Sequence, residues 1–397
     1  MRLEILGRGL CALAAILSLG ACEHFTPTPP SPAQIEADAD QVVDDRQIVV
    51  ITRTATSADA LALKATQQGY LLERREHLSG LGLHMLLFTI PEGMTGRSAI
   101  RQLEGLEPGV SAGVNHAYDL SQGSVQQPRV FAARAQGWPP EGCSSRFPVI
   151  GMIDAAADIN SSALSGADLV VRSFAASAPG SVAASASSHG TVTAVLLAGP
   201  GRLSGARVMN AAVISDHRQR SQVASAASLV LALDWMQASG VRLVNMSLEG
   251  PYNRILDRVV QQALARGMII VASVGNGGPD SAPRYPAAFA GVIGVTALDV
   301  ANRVYADAAQ GAHVDFAAPG VDVFVPVGDR GRYVSGTSVA APHITALIAS
   351  ARYRDPTVQS IVSDLSRSAH DLGPPGRDTT FGAGAPRLRG GCGVFTQ

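Results

Sequence analysis

The sequence predicts an α/β protein in which a doubly wound, mostly parallel sheet is preceded by a small α+β unit. From Pro148 onward, continuous apolar runs alternate with helical patterns, which is typical of a parallel sheet covered on both faces. Residues 47–120 show the element order β-α-β-α-β of a compact ferredoxin-like unit. Of the 397 residues, 46% are hydrophobic and 16% are charged, so the chain can bury large cores.

Residues 1–21 are predicted to be an export signal. Arg2 and Arg8 flank the start of an apolar run, residues 9–19, which is too short to cross a bilayer. The run ends in LGAC, which resembles the lipobox of bacterial lipoproteins, and this resemblance implies that Cys22 is acylated. An ordinary signal peptide with an incidental cysteine is the alternative. Residues 22–46 are rich in proline and acid, and they are predicted to be a disordered tether.

The small unit, residues 47–120, is predicted from short periodic segments. Apolar, β-branched runs indicate strands, and an apolar period near 3.6 residues indicates helices. The predicted strands are Gln47–Thr52, Leu83–Ile90 and a last one within 109–120, and the predicted helices are Ala58–Gln68 and Gly96–Leu106. Residues 121–145 contain Gln, Gly and Pro and are predicted to be a junction.

The larger domain, residues 146–392, is predicted from six apolar runs that can each form a buried strand. They are PVIGMI, DLVVRSF, ARVMNAAVI, VRLVNMSL, GMIIVASV and GVIGVTAL. Helical patterns, such as Ser221–Ala238 and Arg254–Arg266, lie between them. In a doubly wound sheet the reactive groups lie at the carboxyl ends of the strands, so polar residues after these runs are candidates for chemistry.

Four polar residues at such positions form a set for nucleophilic catalysis: Asp154 and Asn276 end apolar runs, whereas His189 and Ser338 open helical ones. A serine hydroxyl needs a base, an imidazole can be that base near pH 7, a carboxylate can orient it, and an amide can bind an oxyanion. Each residue has an alternative. Ser338 could cap a helix, His189 could lie on the surface, Asn276 could be a turn residue, and Asp158 rivals Asp154.

At these motifs the chain resembles the subtilisin-like serine proteases, the subtilases, over about Phe147 to Arg387. GTSVAAPHITAL is similar to the family's serine motif, in which a proline stands inside the helix of the nucleophile, and HGT resembles the histidine motif. The order Asp, His, Ser is that of the family. The resemblance implies a serine-type endopeptidase that hydrolyses proteins or peptides. Its catalytic residues would be Asp154, His189 and Ser338, with Asn276 in the oxyanion hole.

Two segments resemble the family's substrate groove. VNMSLEGP, residues 244–251, is similar to the strand along which substrates lie, and VASVGNGGP, residues 271–279, is similar to the oxyanion segment. A substrate would add to the first segment as an extended strand. The substrate-binding residues implied by the resemblance are Ser247, Leu248, Glu249, Gly250, Ser273, Val274 and Gly275.

The chain departs from the family pattern at three places. Ala155 and Ala156 follow Asp154 where threonine and glycine are usual, which leaves the geometry of this loop open. Val192 stands where a second histidine is frequent, outside the triad. Glu249 stands where glycine is common, and it is either a solvated edge residue or a groove carboxylate that favours basic substrate side chains.

Residues 47–120 resemble the subtilase propeptide by position and element order. The resemblance implies that the last strand lies in the active site until the chain cuts itself between Leu120 and Cys143. A permanent interaction domain is the alternative. No cofactor is required for this chemistry. Calcium is common in the family, but no acidic cluster allows a site to be assigned.

Two cysteines remain in the larger domain once Cys11 leaves with the signal and Cys22 is lipidated. In an exported protein, Cys143 and Cys392 are expected to form a disulfide, with two free thiols as the alternative. We expect export to the bacterial cell envelope, with the membrane as a partner through the lipid anchor unless self-cleavage releases the enzyme. A net charge of −1 gives no indication of nucleic-acid binding.

Two other functions stay open at the level of sequence. A pseudoprotease, impaired by the altered loop after Asp154, would bind peptides at the cell envelope without cutting them. An esterase or other acyl hydrolase would also use a serine, although the G-x-S-x-G pattern of α/β-hydrolases does not surround Ser338.

Overall fold

The structure is a computed structural model that describes residues 46–120, 131–175, 182–183, 188–216, 222–327, 331–353 and 356–395. The predicted signal peptide, nearly all of the predicted tether and Cys22 lie outside these residues. Within the described part of the chain, no helix combines the length and the apolar character that crossing a membrane requires.

The small domain is a four-stranded antiparallel sheet packed against two helices. Its elements are β1 (Gln47–Thr52), α1 (Ala55–Gln67), β2 (Leu71–Leu78), β3 (Leu83–Thr89), α2 (Gly96–Leu106) and β4 (Ser111–Val114). The strand order is β2-β3-β1-β4, with antiparallel pairing throughout. This is the ferredoxin-like arrangement. The sequence did not predict β2, and the single strand predicted within 109–120 is two strands, the second of which leaves this sheet.

The described residues after β4 form the linking strand β5 and a larger α/β domain. Its helices are α3 (Ala132–Ala135), α4 (Ser188–Ala198), α5 (Ala226–Ala238), α6 (Arg254–Ala265), α7 (Thr337–Ser350) and α8 (Val358–Ser368), with a 3₁₀ turn at Ser162–Leu164. The strands are β5 (Ala117–Leu120), β6 (Cys143–Ser144), β7 (Val149–Asp154), β8 (Asp168–Ser173), β9 (Val182–Ala183), β10 (Leu203–Ser204), β11 (Arg207–Ala212), β12 (Ile214–Asp216), β13 (Val223–Ser225), β14 (Leu243–Met246), β15 (Leu248–Glu249), β16 (Ile269–Ser273), β17 (Ile293–Leu298), β18 (Phe316–Pro319), β19 (Val323–Val325) and β20 (Arg332–Val334).

Seven of these strands form one parallel sheet in the order β18-β17-β16-β14-β7-β11-β8. Six of the seven lie in the predicted apolar runs, and β18 is the addition. Side chains alternate between the two faces of a strand. On one face, Ile270 and Ala272 of β16 pack with α5 and α6. On the other, Ile269 and Val271 pack with α7 and α8. The predicted doubly wound sheet is confirmed.

The small sheet also has two buried faces. Ile48 and Val50 of β1 pack with α1 and α2. Their neighbours Val49 and Ile51 belong instead to the large core that contains α5 and α6. The small domain therefore rests on the larger domain through the apolar face that β1 and β3 form.

The strand β5 joins the small domain to a second sheet of the larger one. This sheet has the order β15-β5-β13-β12-β9, and β5 runs antiparallel to both of its neighbours. Leu120 stands opposite Leu248, and Asp119 stands opposite Glu249 on one side and Val223 on the other. The end of the small domain is thus inserted as a strand beside β15.

The predicted disulfide is present. Cys143 of β6 and Cys392 are joined across 249 residues of sequence, with their Cα atoms 5.5 Å apart. The bond ties the start of the larger domain to its end.

Candidate active site

Asp154, the last residue of β7, is fully buried and oriented by three groups. Its Oδ1 lies 2.7 Å from Nδ1 of His189 and accepts a hydrogen bond from the N–H of Ala155 at 2.6 Å. Its Oδ2 accepts from the hydroxyl of Thr193 at 2.9 Å. The carboxylate is therefore held with one oxygen against the imidazole.

The loop after Asp154 is held by a buried asparagine of β11. The Nδ2 of Asn210 donates to the carbonyl oxygens of Met152 and Ala155, at 3.3 and 3.2 Å. Its Oδ1 accepts from the N–H of Ala157 at 2.9 Å. One side chain thus fixes a loop in which alanines replace the usual residues.

The HGT motif explains how α4 reaches this loop. A Cβ atom on Gly190 would lie 2.3 Å from the carbonyl oxygen of Ala155, so only glycine permits the approach. The hydroxyl of Thr191 accepts from the N–H of Asp158 at 3.0 Å, and Oδ1 of Asp158 accepts from the N–H of Asn160 at 2.9 Å. Asp158 is engaged in its own turn, and the imidazole contact described above belongs to Asp154.

Ser338 is the second residue of α7, a helix whose residues are all buried. It lines one cavity with His189, and the hairpin of β19 and β20 contributes Arg332 and Val334 to the same wall. At the first turn of a helix the main-chain N–H groups have no partner within the helix. Ser338 therefore lies at the first turn of α7 and on the same cavity as His189.

The proline inside α7 has a defined effect on this residue. Pro342 follows Ser338 by four positions, where a helix residue would normally donate its N–H to the Ser338 carbonyl, but proline has no N–H. The hydroxyl of Ser247 donates to that carbonyl instead, at 2.9 Å, and accepts from Nδ2 of Asn245 at 2.9 Å. The segment between β14 and β15 is thereby joined to α7.

Asn276, just after β16, is anchored through its amide oxygen. The N–H and the hydroxyl of Thr337 both donate to Oδ1, each at 3.0 Å. This leaves Nδ2, which is buried and has no hydrogen-bond partner among the described residues. A buried donor without an acceptor is costly, and a negative oxygen at the adjacent Ser338 would supply the acceptor.

The predicted groove residues fall into different settings. Leu248 and Glu249 form β15 beside β5, and Gly250 forms a bridge with Tyr285. The hydroxyl of Ser273 donates to the Leu248 carbonyl at 3.4 Å. Val274, in contrast, is fully buried and donates its N–H to Val295 of β17 at 3.1 Å. The groove role of Val274 stays a prediction.

Glu249 does not match its first expectation. Its side chain is 12% exposed, so it is not a solvated edge residue. Its Oε2 lies 3.5 Å from Nε of Arg284. The second expectation is that this carboxylate binds basic side chains of substrates. Arg284 already lies beside the carboxylate, and the expectation stays a prediction.

Three contacts of the candidate site were not predicted from the sequence: those of Thr193, Asn210 and Arg284. Each residue is a single polar side chain without a recognisable motif, and only the fold brings it to its partner. Among the described residues, no group of three or more His, Cys, Asp or Glu side chains is arranged to hold a metal ion. No step of the proposed reaction uses calcium.

The fold and this arrangement of side chains define a class. Residues 145–384 match the subtilase family, and the chain belongs to this family of peptidases.

Individual relatives match over part of their length. The chain is 34% identical over 161 residues to the minor extracellular protease Epr of Bacillus subtilis (strain 168), which covers 40% of this chain and 25% of Epr. It is 32% identical over 153 residues to subtilisin Savinase of Lederbergia lenta, which covers 38% of this chain and 56% of Savinase. The chain thus spans about a quarter to a half of the relatives that it matches.

Solved structures show the same fold at lower identity. Fervidolysin from Fervidobacterium pennivorans, a keratinolytic enzyme related to subtilisin, superposes with a TM-score of 0.71 at 20% identity, over 87% of this chain and 60% of fervidolysin. The S41 psychrophilic protease superposes with a TM-score of 0.56 at 22% identity, over 67% of this chain and 100% of that protein.

Proposed function

We propose that this chain is a serine endopeptidase that cleaves peptide bonds through Ser338, His189 and Asp154. The observation that carries the proposal is the 2.7 Å contact between Asp154 and His189, with Ser338 on the same cavity. The Nδ2 of Asn276, which has no partner in the described part of the chain, supports an oxyanion site beside them.

The proposed reaction proceeds through an acyl-enzyme. His189 accepts the hydroxyl proton of Ser338 at Nε2, and Oγ attacks the substrate carbonyl carbon. Asp154 stabilises the imidazolium, while Nδ2 of Asn276 and the Ser338 N–H hold the oxyanion. His189 then gives its proton to the leaving amine as the C–N bond breaks. Water, deprotonated by His189, hydrolyses the ester and restores the serine hydroxyl.

We propose that substrates bind as a strand antiparallel to β15, in the place that β5 occupies. Leu120 and Asp119 already pair there with Leu248 and Glu249. The ring of Tyr118 lies against Gly250, and its hydroxyl donates to the Pro251 carbonyl at 3.2 Å. The small domain is thereby proposed to inhibit the enzyme before processing.

The pairing also indicates where the chain would cut itself. Leu120 stands opposite Leu248, which is next to Ser247, and the hydroxyl of Ser247 donates to the Ser338 carbonyl. The chain therefore leaves β5 near the nucleophile. We propose cleavage shortly after Leu120 and before Cys143.

Comparison of the wild type with Ser338→Ala tests this function. The wild type should cleave casein, react with a fluorophosphonate probe and lose the mass of its N-terminal part, whereas S338A should do none of these. Ser350→Ala, at the other end of α7, is the matched control and should behave as the wild type. Probe labelling that fails in the wild type would support the pseudoprotease. Ester turnover without protein cleavage would support an acyl hydrolase.

We further propose export and lipid attachment at Cys22, on the sequence pattern alone. Self-cleavage would then separate the peptidase from its lipid, and the enzyme would either leave the membrane or stay bound to the anchored small domain. Intact masses from membrane and soluble fractions would decide. An uncleaved, active, membrane-bound species would contradict the maturation proposal.

A further inference from the structure

We propose that Glu249 is a positioning residue for the oxyanion donor Asn276, a role that rests on the proposed peptidase function. Both carboxylate oxygens of Glu249 lie 3.2 Å from the main-chain nitrogen of Asn276. The carboxylate thus holds the backbone of the same residue whose side-chain Nδ2 has no partner among the described residues.

The carboxylate is itself held in place. Arg284 lies 3.5 Å away through Nε, and the exposed fractions of the two side chains are 12% for Glu249 and 16% for Arg284. Burial of this degree limits screening by water and salt. The next residue, Tyr285, exchanges two main-chain hydrogen bonds with Gly250, each of 2.9 Å. The glutamate and the arginine therefore come from segments that the backbone already joins.

The packing around Gly275 places the pair directly against the oxyanion segment. Gly275 has a φ of +104°, and a Cβ atom there would lie 2.5 Å from Oε2 of Glu249 and 2.8 Å from Cγ of Arg284. Its N–H donates to the Thr337 hydroxyl at 3.2 Å. Asn276 is consequently fixed from two sides, through its main chain by Glu249 and through its side chain by Thr337.

This arrangement predicts an effect on the chemical step. The oxyanion exists in the transition state and not in the bound substrate, so a displaced donor lowers kcat more than it changes KM. A misplacement of about 1 Å near the reacting atoms can cost about 100-fold in rate. Loss of the Glu249 carboxylate removes the contact that sets the main-chain position of Asn276.

The kinetic test uses Glu249→Ala, Glu249→Gln and the control Glu141→Ala, which alters an exposed carboxylate that makes none of these contacts. E249A should lower kcat about 10- to 100-fold and change KM less than about threefold. E249Q should recover most of the loss, because its amide oxygen can still accept from the Asn276 N–H. A kcat of E249A within about twofold of the wild type, or a loss confined to KM, would overturn the proposal.

A ligand series separates positioning from a general structural role. A peptide boronic acid forms a tetrahedral adduct that places an oxygen in the oxyanion site. Its affinity should fall in E249A about as far as kcat does, while the affinity for an unreactive product peptide stays the same. Equal losses for both ligands would mean that Glu249 only supports the fold of the groove.

One measurement does not depend on activity. In the Ser338→Ala chain, the amide proton of Asn276 should exchange more slowly than in the S338A/E249A double variant, because the carboxylate accepts it. Equal exchange rates in the two variants would overturn the positioning role, even if the wild type is active. A wild type that cleaves nothing would instead defeat the peptidase proposal, and the exchange result would still report on Glu249.

Discussion

At the scale of single residues, the site is set by which atom of each side chain is already engaged. Asp154 uses one oxygen for His189 and Ala155 and the other for Thr193. Asn276 uses its oxygen for Thr337, while its Nδ2 has no hydrogen-bond partner among the described residues. The engaged atoms fix the orientation of the atoms that would react, as preorganised catalysis requires.

Thr193→Val tests this at Asp154. The substitution keeps the shape but removes the hydrogen bond to Oδ2, and a hydrogen bond to a charged group contributes roughly 1.5–3 kcal/mol. We expect kcat/KM to fall about 10- to 100-fold with the fold intact. Thr296→Val is the matched control, because its buried hydroxyl has no hydrogen-bond partner among the described residues. Equal activity in the two variants would contradict the role of Thr193.

At the scale of elements, hydrophobic periodicity and sequence motifs predicted some of the strands and helices. Six strands of the parallel sheet and the helix of Ser338 were predicted in this way. The edge strand β2 was missed because half of the residues in its sequence, LLERREHL, are charged and the strand is only partly buried. The strand β18 was missed because FAAP is short and ends in proline. Asn210 and Arg284 could not be placed, because their partners are distant in sequence and come together only on folding.

The link between Ser247 and α7 gives a prediction at this scale, measured in the Ser338→Ala chain. Ser247→Ala should lower the free energy of unfolding by about 1–3 kcal/mol, because the buried Ser338 carbonyl loses its donor. Adding Pro342→Ala restores a helix N–H at that carbonyl and should recover at least half of the loss. Denaturant unfolding of both single variants and the double variant measures the coupling. Strictly additive effects would contradict the link.

At the scale of the whole molecule, the two domains share a core and a sheet. Val49 and Ile51 of the small domain lie in the core of α5 and α6, and β5 is hydrogen-bonded on both of its edges. His116, between β4 and β5, lies at this junction. Its Nδ1 accepts from Nδ2 of Asn253 at 2.8 Å, and burial lowers its pKa to about 4. The junction therefore holds a neutral imidazole.

This imidazole should make stability depend on pH. The pKa of His116 is about 4 in the folded chain and about 6.5 when unfolded, so between these values the unfolded state binds more protons. The contribution of the neutral His116 to the free energy of unfolding is complete above about pH 6.5. It is lost as the pH falls towards 4, at up to about 1.4 kcal/mol per pH unit. In the uncleaved Ser338→Ala chain, His116→Asn should make the free energy of unfolding depend less on pH. The number of protons taken up on unfolding should fall by up to one. His313, whose pKa is also about 4, remains in both chains and contributes equally to both slopes. An unchanged slope would therefore refute the role of His116.

The disulfide gives a second prediction for the whole molecule. Replacing Cys143 and Cys392 by serine frees a loop of 249 residues, and the free energy of unfolding should fall by about 2–5 kcal/mol. Guanidinium unfolding of the double variant measures the change. Reduction of the wild type with dithiothreitol should give the same midpoint, and a midpoint equal to that of the oxidised protein would contradict the prediction.

If substrates take the place of β5, as proposed, its pairing on both edges limits which proteins can be cleaved. A polypeptide that replaces it must offer free main-chain groups along both of its edges at the same time. In a segment that belongs to a folded sheet or helix, many of these main-chain groups are already hydrogen-bonded to neighbouring residues. Loosely structured loops, termini and denatured chains meet this requirement. For a folded substrate, the rate of local unfolding would therefore set the rate of cleavage.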